Sequence, residues 1–313
     1  MPAPSCADLL STVLVLRALD SGTLPSTSGY LCYSAILNLL RAEDAGLAEE
    51  LKSDKTSRGL TVSGLFGDLP SRGARVTVRK GALFGVRVTS LMGELTSVFR
   101  GWATHLPQTV WLGPRSDPVR FEICQVIDSS QGHPLVRIGS YTQLVEEAED
   151  SSSAVSWTIH LDSPATFEAG GGHLPLPIPH LIFGGLWRRW RTHATPELMD
   201  PCANGLRTLL AAVGERGFRR TGRRPSLRSL DLAVRVAAFD LHSRMLDFGP
   251  SGGKRVGFQG RAAFALPRRY RSPEASRALS ILTRFSYYAG VGAHTAVGMG
   301  QVGAVTVQQS SSR

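Results

Sequence analysis

The sequence has no long apolar run, only four cysteines, and no histidine before His105. Without a stretch of about 18 apolar residues, a transmembrane helix is excluded. The amino terminus lacks the basic and apolar regions of a signal peptide, so we expect a cytoplasmic protein with no membrane partner. Cys6, Cys32, Cys124 and Cys202 form no C-x-x-C pair. We therefore expect reduced thiols, no structural metal and no cofactor.

Basic residues are unevenly distributed. The net charge is +10, and residues 1–150 hold 14 Lys and Arg against 16 Asp and Glu. Residues 151–313 hold 21 Lys and Arg against 9 Asp and Glu, so that half alone carries +12. A one-sided basic field favours a polyanionic partner, most often nucleic acid, over a membrane surface or an acidic protein.

Glycines are concentrated near the carboxyl terminus, where Gly290-Val-Gly292 and Gly298-Met-Gly300 stand five residues apart. The segment follows a helix-like stretch and precedes a strand-like one. A dinucleotide fingerprint runs the other way, from strand through glycines to helix, so the Rossmann interpretation fails. Backbone with so little side chain can approach a bulky polyanion. The alternative is a helix C-cap at Gly290 followed by a plain turn.

Two domains of similar pattern are predicted. Residues 146–154 are charged and then serine-rich, with no large apolar side chain, which favours a linker. We place the domains at residues 1–150 and 151–313, the second strongly basic and carrying the glycine-rich loop 290–300. Apolar spacing predicts strands at 9–18, 75–79, 83–88, 119–126, 155–161, 232–239, 258–264 and 302–307. It predicts helices at 30–40, 45–52, 90–102, 141–149, 180–190, 204–213 and 273–288.

Each half then approximates β-α-β-β-α-β, so we predict an α+β fold with two tandem ferredoxin-like (RRM-like) domains. Two such units in a basic protein suggest RNA binding, because the four-stranded sheet is a common RNA platform. No RNP-type aromatic signature stands on any predicted strand, so base stacking on the sheet is not supported.

Several segments together resemble one family in their order and spacing: the CRISPR-associated repeat-processing endoribonucleases of the RAMP superfamily, the Cas6 family. Gly290-Val-Gly-Ala-His-Thr-Ala-Val-Gly-Met-Gly-Gln-Val302 resembles the glycine-rich loop of that family, and Phe183-Gly-Gly-Leu-Trp-Arg-Arg-Trp190 resembles its mid-chain helix entry. The other matching segments are 29–35, 47–52, 60–63, 162–167, 174–179 and 257–260.

The resemblance implies a cytoplasmic prokaryotic defence protein that cuts CRISPR precursor RNA within each repeat to release guide RNAs. In that family the ribose 2′-hydroxyl attacks the adjacent phosphorus without a metal. The products carry a 2′,3′-cyclic phosphate and a 5′-hydroxyl.

Three residues are the catalytic candidates that the resemblance implies. The positions where relatives commonly carry histidine correspond to Tyr33 and Lys52, so the usual acid–base residue is missing. Lys52 would serve as acid or base, Arg58 would clamp the phosphate, and Tyr33 would orient the 2′-hydroxyl. The alternatives are a solvated helix-end lysine, a solvated loop arginine and a core tyrosine.

The RNA-binding candidates lie in the glycine-rich loop and in the arginine runs of the second half, since phosphate contacts give affinity without sequence choice. They are Gly290, Gly292, His294, Gly298, Gly300, Arg188, Arg191, Arg219, Arg220, Arg223, Arg224, Lys254, Arg255, Arg268 and Arg269.

Two further functions stay open at the level of sequence. One is a non-catalytic RAMP subunit that binds RNA in a CRISPR effector complex, which the missing histidine favours. The other is a general basic RNA-binding protein, which explains the charge but not the ordered motifs. The expected partner is CRISPR repeat RNA, with or without an effector complex. Monomer and homodimer are equally open.

Overall fold

The computed structural model describes residues 7–53, 59–69, 71–72, 75–105, 109–114, 116–221, 226–248 and 253–309. The chain forms two compact units. Unit 1 comprises residues 1–139, 245–255 and 294–299, and unit 2 comprises residues 140–244, 256–293 and 300–313.

Unit 1 is built on an antiparallel sheet. Its elements are β1 (Leu9–Ala18), β2 (Gly22–Pro25), α1 (Gly29–Glu43), α2 (Ala45–Ser53), β3 (Leu60–Val62), β4 (Phe66–Gly67), β5 (Ser71–Arg72), β6 (Arg75–Val78), β7 (Leu83–Ser90), α3 (Gly93–Gly101), β8 (Thr109–Leu112), β9 (Val119–Ile127) and β10 (Arg137–Gly139). The main sheet has the order β3-β7-β1-β9-β8, with β10 on β1 and β4 on β7. The first strand thus lies between β9 and β7, as in a ferredoxin-like sheet. A second, small sheet has the order β2-β6-β5.

The hydrophobic core of unit 1 lies on one face of that sheet. Alternate residues of β1 and β7, such as Leu14 and Val86, pack with Ile36 of α1 and Phe99 of α3 in one buried cluster. The period-2 alternation of the strands and the helical spacing of the helices place these side chains on facing surfaces. The same cluster takes in Ala296, from the distant part of the chain that belongs to this unit.

Unit 2 repeats the arrangement. Its elements are α4 (Tyr141–Glu149), β11 (Ala154–Ala165), β12 (Phe167–Ala169), β13 (Gly172–Leu174), α5 (Pro179–His193), α6 (Pro196–Thr221), α7 (Leu230–Ala233), β14 (Arg235–Asp247), β15 (Lys254–Ala265), α8 (Pro273–Ala289) and β16 (Val302–Gln309). The last residues of β14, 245–247, and the first of β15, 254–255, are counted with unit 1. The order β14-β15-β11-β16 again puts the first strand between the last and the third. Strands β12 and β13 form a short hairpin.

Helix α8 is the buried centre of unit 2, and local sequence fixes both of its ends. Ser272 is the N-cap and accepts a hydrogen bond from the amide of Ala275 at 3.1 Å, with Pro273 in the first turn. Gly290 ends the helix at φ 68°, a conformation in which glycine carries no Cβ penalty. Phe285 of this helix is fully buried, as is Trp157 of β11, which donates from Nε1 to Ser280 Oγ of the helix at 2.9 Å.

The first residues of the stretch predicted as a linker, 146–149, form the end of helix α4. Its N-cap Ser140 accepts from the amide of Gln143 at 3.1 Å. Glu147 pairs with Arg284 at 3.3 Å, and Glu149 pairs with Arg277. Burial lowers the pKa of Arg284 below its usual value. The acids of α4 are thus bound to arginines of α8 within unit 2.

Most predicted strands and helices are present at close to the predicted bounds. The strand predicted at 232–239 begins instead at Arg235, because Leu230 and Ala233 are buried on the short helix α7. The helix predicted at 204–213 extends over Pro196–Thr221 and contains Pro201. None of the helices in the described part of the chain is long and apolar enough to cross a membrane.

Three of the cysteines are free in the structure: Cys32, Cys124 and Cys202. Burial raises the pKa of the Cys32 thiol to about 12 and raises the pKa of Cys202 as well. Both behave as small core residues rather than reactive groups. Cys6 lies outside the described residues.

Candidate functional site

The middle of the glycine-rich segment packs against the amino-terminal end of α1. A Cβ atom on Gly29, the first residue of α1, would lie 2.1 Å from the carbonyl oxygen of Val297. A Cβ atom on Gly298 would lie 3.1 Å from the Cα of Gly29 and 3.2 Å from the amide nitrogen of Gly64. These backbones can approach each other only because the positions lack side chains. The structure therefore brings together the glycine-rich segment and the first helix, two places that the resemblance named separately.

His294, Arg255 and Phe248 form a cluster in unit 1, called the His294 cluster below. The Arg255 guanidinium donates from Nε to His294 Nε2 at 3.0 Å and lies 5.0 Å from the centre of the Phe248 ring. Since the guanidinium cannot accept, Nε2 is the acceptor and a neutral ring carries its proton on Nδ1. His294 has the left-handed backbone conformation at φ 60°, and both polar side chains are partly exposed.

The chemistry of the His294 cluster suits a ribose–phosphate chain. Arginine offers a planar fork of donors that matches phosphate geometry. A phenylalanine face can stack on a base or on a guanidinium. Two of the predicted RNA-binding residues, Arg255 and His294, thus meet although 39 positions separate them.

The catalytic candidates Tyr33 and Lys52 both come to the carboxyl-terminal end of α2. The hydroxyl of Tyr33 lies 3.5 Å from the carbonyl oxygen of Leu51, and Tyr33 is only 6% exposed. Lys52 points to solvent, with its side chain 58% exposed and its Nζ 3.4 Å from Glu49. Arg58 lies outside the described residues. The burial of Tyr33 agrees with core packing, whereas Lys52 is available to a ligand.

The outer glycines of the segment are committed to contacts within the protein. The amide of Gly290 donates to Ser286 at 2.8 Å, and that of Gly300 donates to Pro164 at 2.9 Å. Both residues are buried, and a Cβ on Gly300 would lie 1.9 Å from the carbonyl oxygen of Val291. Gly292 is partly exposed, but a Cβ there would lie 2.4 Å from the carbonyl oxygen of Thr166. These glycines shape the backbone of unit 2, and their amides at 290 and 300 are not open to a phosphate.

Arg189 holds this turn in unit 2, a role that the sequence analysis did not assign. Its guanidinium donates to the carbonyl oxygen of Ala289 and lies 3.5 Å from that of Gly292. The arginine run on α5 therefore divides: Arg189 stabilises the protein, while Arg188 and Arg191 are exposed. The sequence around the three arginines does not distinguish them. They differ because only Arg189 lies on the side of α5 that faces the turn at residues 289–292.

The remaining cationic candidates are placed as follows. Lys254 is exposed at the start of β15, and Arg268 and Arg269 are exposed on a 3₁₀ turn after it. Arg219 and Arg220 lie on the last turns of α6. Arg223 and Arg224 lie outside the described residues.

The outer face of the unit 2 sheet is open and polar. On it, His160 of β11 lies opposite Arg261 of β15 and Ala304 of β16, and all three are exposed. The next row holds Thr158, opposite Thr306. His160 Nδ1 also lies 3.2 Å from Asp162. Arg261 was missed as a candidate because it stands alone, although its alternation with buried Phe264 and Ala262 on β15 indicates the open face.

Among the residues that the structure describes, no three His, Cys, Asp or Glu side chains come together as a metal-binding group.

Known proteins resemble this chain both in sequence pattern and in fold. The model of the CRISPR-associated endoribonuclease Cas6 family matches residues 159–302. A Cas6 product complex superposes with a TM-score of 0.68 at 24% identity, covering 96% of this chain and 100% of the other. A second Cas6 product complex gives 0.63 at 23% identity over 96% and 99%. Thermus thermophilus Cas6 gives 0.62 at 22% identity over 97% and 100%. No curated protein matches the chain. The predicted tandem ferredoxin-like fold is confirmed.

Proposed function

We propose that the chain is an endoribonuclease of the Cas6 family, whose model matches residues 159–302, and that it cuts CRISPR precursor RNA within the repeats. The 2′-hydroxyl attacks the adjacent phosphorus and gives its proton to solvent, and the bond from phosphorus to the 5′-oxygen breaks. The products are a 2′,3′-cyclic phosphate and, once the leaving oxygen is protonated, a 5′-hydroxyl. The observation that carries the proposal is the packing of residues 294–298 on the start of α1. This packing supports one site in unit 1 for the His294 cluster and the first-helix region.

The proposed chemistry depends on positioning and on cations. Holding the 2′-hydroxyl in line with the leaving oxygen can contribute about 7–11 kcal/mol in well-oriented systems. Arg255 and the Nδ1–H of His294 are donors for phosphate oxygens, where they would meet charge that develops on phosphorus. Neither role requires a metal.

Lys52 is the proposed acid toward the leaving 5′-oxygen. Within the described part of the chain it pairs with Glu49, on the same exposed helix surface. Exposed pairs of this kind are worth about 0.2–1 kcal/mol, so the pair does not hold Lys52 away from a phosphate. Arg58 stays a proposed phosphate clamp. For Tyr33 we propose that its hydroxyl supports the end of α2 and through it the position of Lys52.

A cleavage assay on the full chain tests this proposal. We expect a labelled repeat RNA to be cut at one position in EDTA, and a 2′-deoxy nucleotide at that position to block cutting. Lys52→Ala should lower the cleavage rate by about 10²-fold, the lower end for loss of a general acid, with little change in RNA affinity. Lys80→Ala, a change at another exposed lysine of unit 1, is the matched control. Equal rates for both variants would remove Lys52 from the site.

The second candidate function is a non-catalytic RNA-binding subunit of a CRISPR effector complex. It is favoured by one observation: Tyr33 and Lys52 stand where relatives commonly have histidine, and Tyr33 is buried. Tight binding of the repeat RNA without any cutting would support this function and would contradict the endoribonuclease.

A further inference from the structure

Strand β14 is 13 residues long, and no part of it is buried. Its burial pattern over Arg235–Asp247 contains only exposed and intermediate positions. Phe239 is 70% exposed and Met245 is 58% exposed, and Val236 is 37% exposed. In the described part of the chain, β14 has a strand neighbour on one side only, which is β15.

A long free edge with apolar side chains is normally avoided. Such an edge presents a row of unpaired N–H and C=O groups, and natural proteins protect it with short strands, like charges, proline or a covering element. β14 has 13 residues and no proline. Its charged residues are of both signs, with Arg235 and Arg244 against Asp240 and Asp247. A strand that pairs with β14 is therefore repelled only in registers that place like charges opposite each other.

The sequence of β14 is complementary to itself in one antiparallel register. If His242 lies opposite its own copy, each Asp240 lies opposite an Arg244 of the other strand. In the same register each Phe239 lies opposite Met245, and each Ala238 lies opposite Leu246. Opposite charges and apolar pairs directly across a sheet are stabilising, and sulfur packs favourably against aromatic rings. A two-fold axis through His242 generates every pair twice, as a symmetric dimer requires.

Neighbouring registers are less favourable. Centring on Asp240 places that carboxylate opposite its own copy, and centring on Arg244 does the same for the guanidinium. Like charges directly opposite are destabilising. Centring on Leu241 leaves Arg244 opposite Ala238. Among these registers, the one centred on His242 satisfies both charges and the two most exposed apolar side chains of the strand.

We propose that the free edge of β14 is a homodimer interface, at which a second copy of this chain adds its own β14 antiparallel and joins the two unit 2 sheets. The main chain supplies the hydrogen bonds of strand addition. The pairs Asp240–Arg244 and Phe239–Met245 fix the register. This interface does not depend on the function proposed above.

Charge reversal in the full chain tests the proposal. We expect the wild-type protein to sediment as a concentration-dependent dimer. Asp240→Arg and Arg244→Asp should each raise the dimer dissociation constant by at least about tenfold, since each replaces two opposite-charge pairs with like-charge pairs. Both side chains are exposed, so the monomer should keep its fold, as circular dichroism can verify.

Mixing the two variants gives the decisive result. In a heterodimer, one strand would carry arginine at both positions 240 and 244, and the other strand would carry aspartate at both. Every facing pair would again be of opposite charge, so an equimolar mixture should recover the dimer. The double variant with both reversals should recover it too. Arg79→Asp, a reversal at an exposed position of unit 1, should leave the wild-type dissociation constant unchanged.

Three outcomes would overturn the proposal. A wild-type protein that stays monomeric at every concentration would do so. So would single variants that dimerise as well as the wild type, or a mixture that fails to recover the dimer. If the protein is monomeric and the reversal Arg244→Asp instead weakens repeat-RNA binding, the edge belongs to an RNA surface.

Discussion

The central strands of the two sheets have the same order, but the sheets differ in how far the face opposite the hydrophobic core is buried. In unit 1 the face opposite the hydrophobic core is buried and polar. Arg87 is 1% exposed there and donates from Nε to Ser11 Oγ at 2.8 Å. Thr61 and Thr89 lie 2.7 Å apart on the neighbouring strands and are equally buried.

In unit 2 the corresponding face is open. Its rows of His160, Arg261 and Ala304, and of Thr158 and Thr306, retain solvent exposure. Buried polar groups must find partners inside the protein, whereas exposed ones can exchange water for a ligand. The same topology thus has a closed polar face in unit 1 and a solvent-exposed polar face in unit 2. The basic half of the sequence is the half with the open sheet.

The largest expected difference between the two faces is in stability. Arg87→Ala removes a buried charge-assisted hydrogen bond and leaves a cavity, so it should lower the free energy of unfolding by about 3 kcal/mol. Arg261→Ala, the matched change on the open face, should alter it by no more than about 0.5 kcal/mol. Denaturant titration of both variants measures the difference. Similar losses would show that the two faces are not distinct.

The second-largest effect should come from overpacking between α1 and residues 294–299, which belong to unit 1. Gly29→Ala places a methyl group against the Val297 carbonyl oxygen, and such overpacking costs about 1–3 kcal/mol. Gly93 is the first residue of α3, as Gly29 is of α1, but its nearest neighbour is a side-chain oxygen of Asp8 at 3.4 Å. Gly93→Ala should therefore be neutral or slightly stabilising.

Thermal unfolding and RNA cleavage together test that pair of variants. We expect Gly29→Ala to lower the melting temperature and also the cleavage rate, because residues 294–298 must shift. A lower melting temperature with full cleavage activity would show that the packing of residues 294–298 on α1 is not needed for cleavage.

The smallest effect should appear in RNA binding by the open sheet. Arg261→Ala should weaken binding of the repeat RNA and make the logarithmic salt dependence shallower by about 1, as loss of one phosphate contact does. Arg79→Ala, at an exposed position of unit 1, should leave the slope unchanged. Equal slopes for the two variants would mean that the open face of unit 2 does not contact RNA.

Local patterns were sufficient to predict most of the fold. Alternation predicted β1 at its observed bounds, and Ser272, Pro273 and Gly290 mark both ends of α8. The prediction was wrong where tertiary contacts decide. Apolar spacing predicted a strand from residue 232, but residues 230–233 form a helical turn. Asp231 of this turn accepts from the backbone amide of His180 at 2.9 Å.

The candidate site was predictable only in part, because its residues come from distant positions. Arg255 and His294 were both RNA-binding candidates in the sequence, but their contact depends on a hairpin and a turn that only the fold brings together. The sequence also does not show which side chains are solvated. Tyr33 and Lys52 were both catalytic candidates, yet Tyr33 is buried and Lys52 is exposed. The roles of Lys52 and Arg58 stay predictions.

Unit 1 has a consequence for the order of events during synthesis. Residues 294–299 contribute Ala296 to its hydrophobic cluster. The amino-terminal unit therefore cannot complete its core when its first 139 residues leave the ribosome, although domains generally fold as units during translation. Ala296 is synthesised only after residues 140–293, so a chain that stops before it would expose an unfilled core.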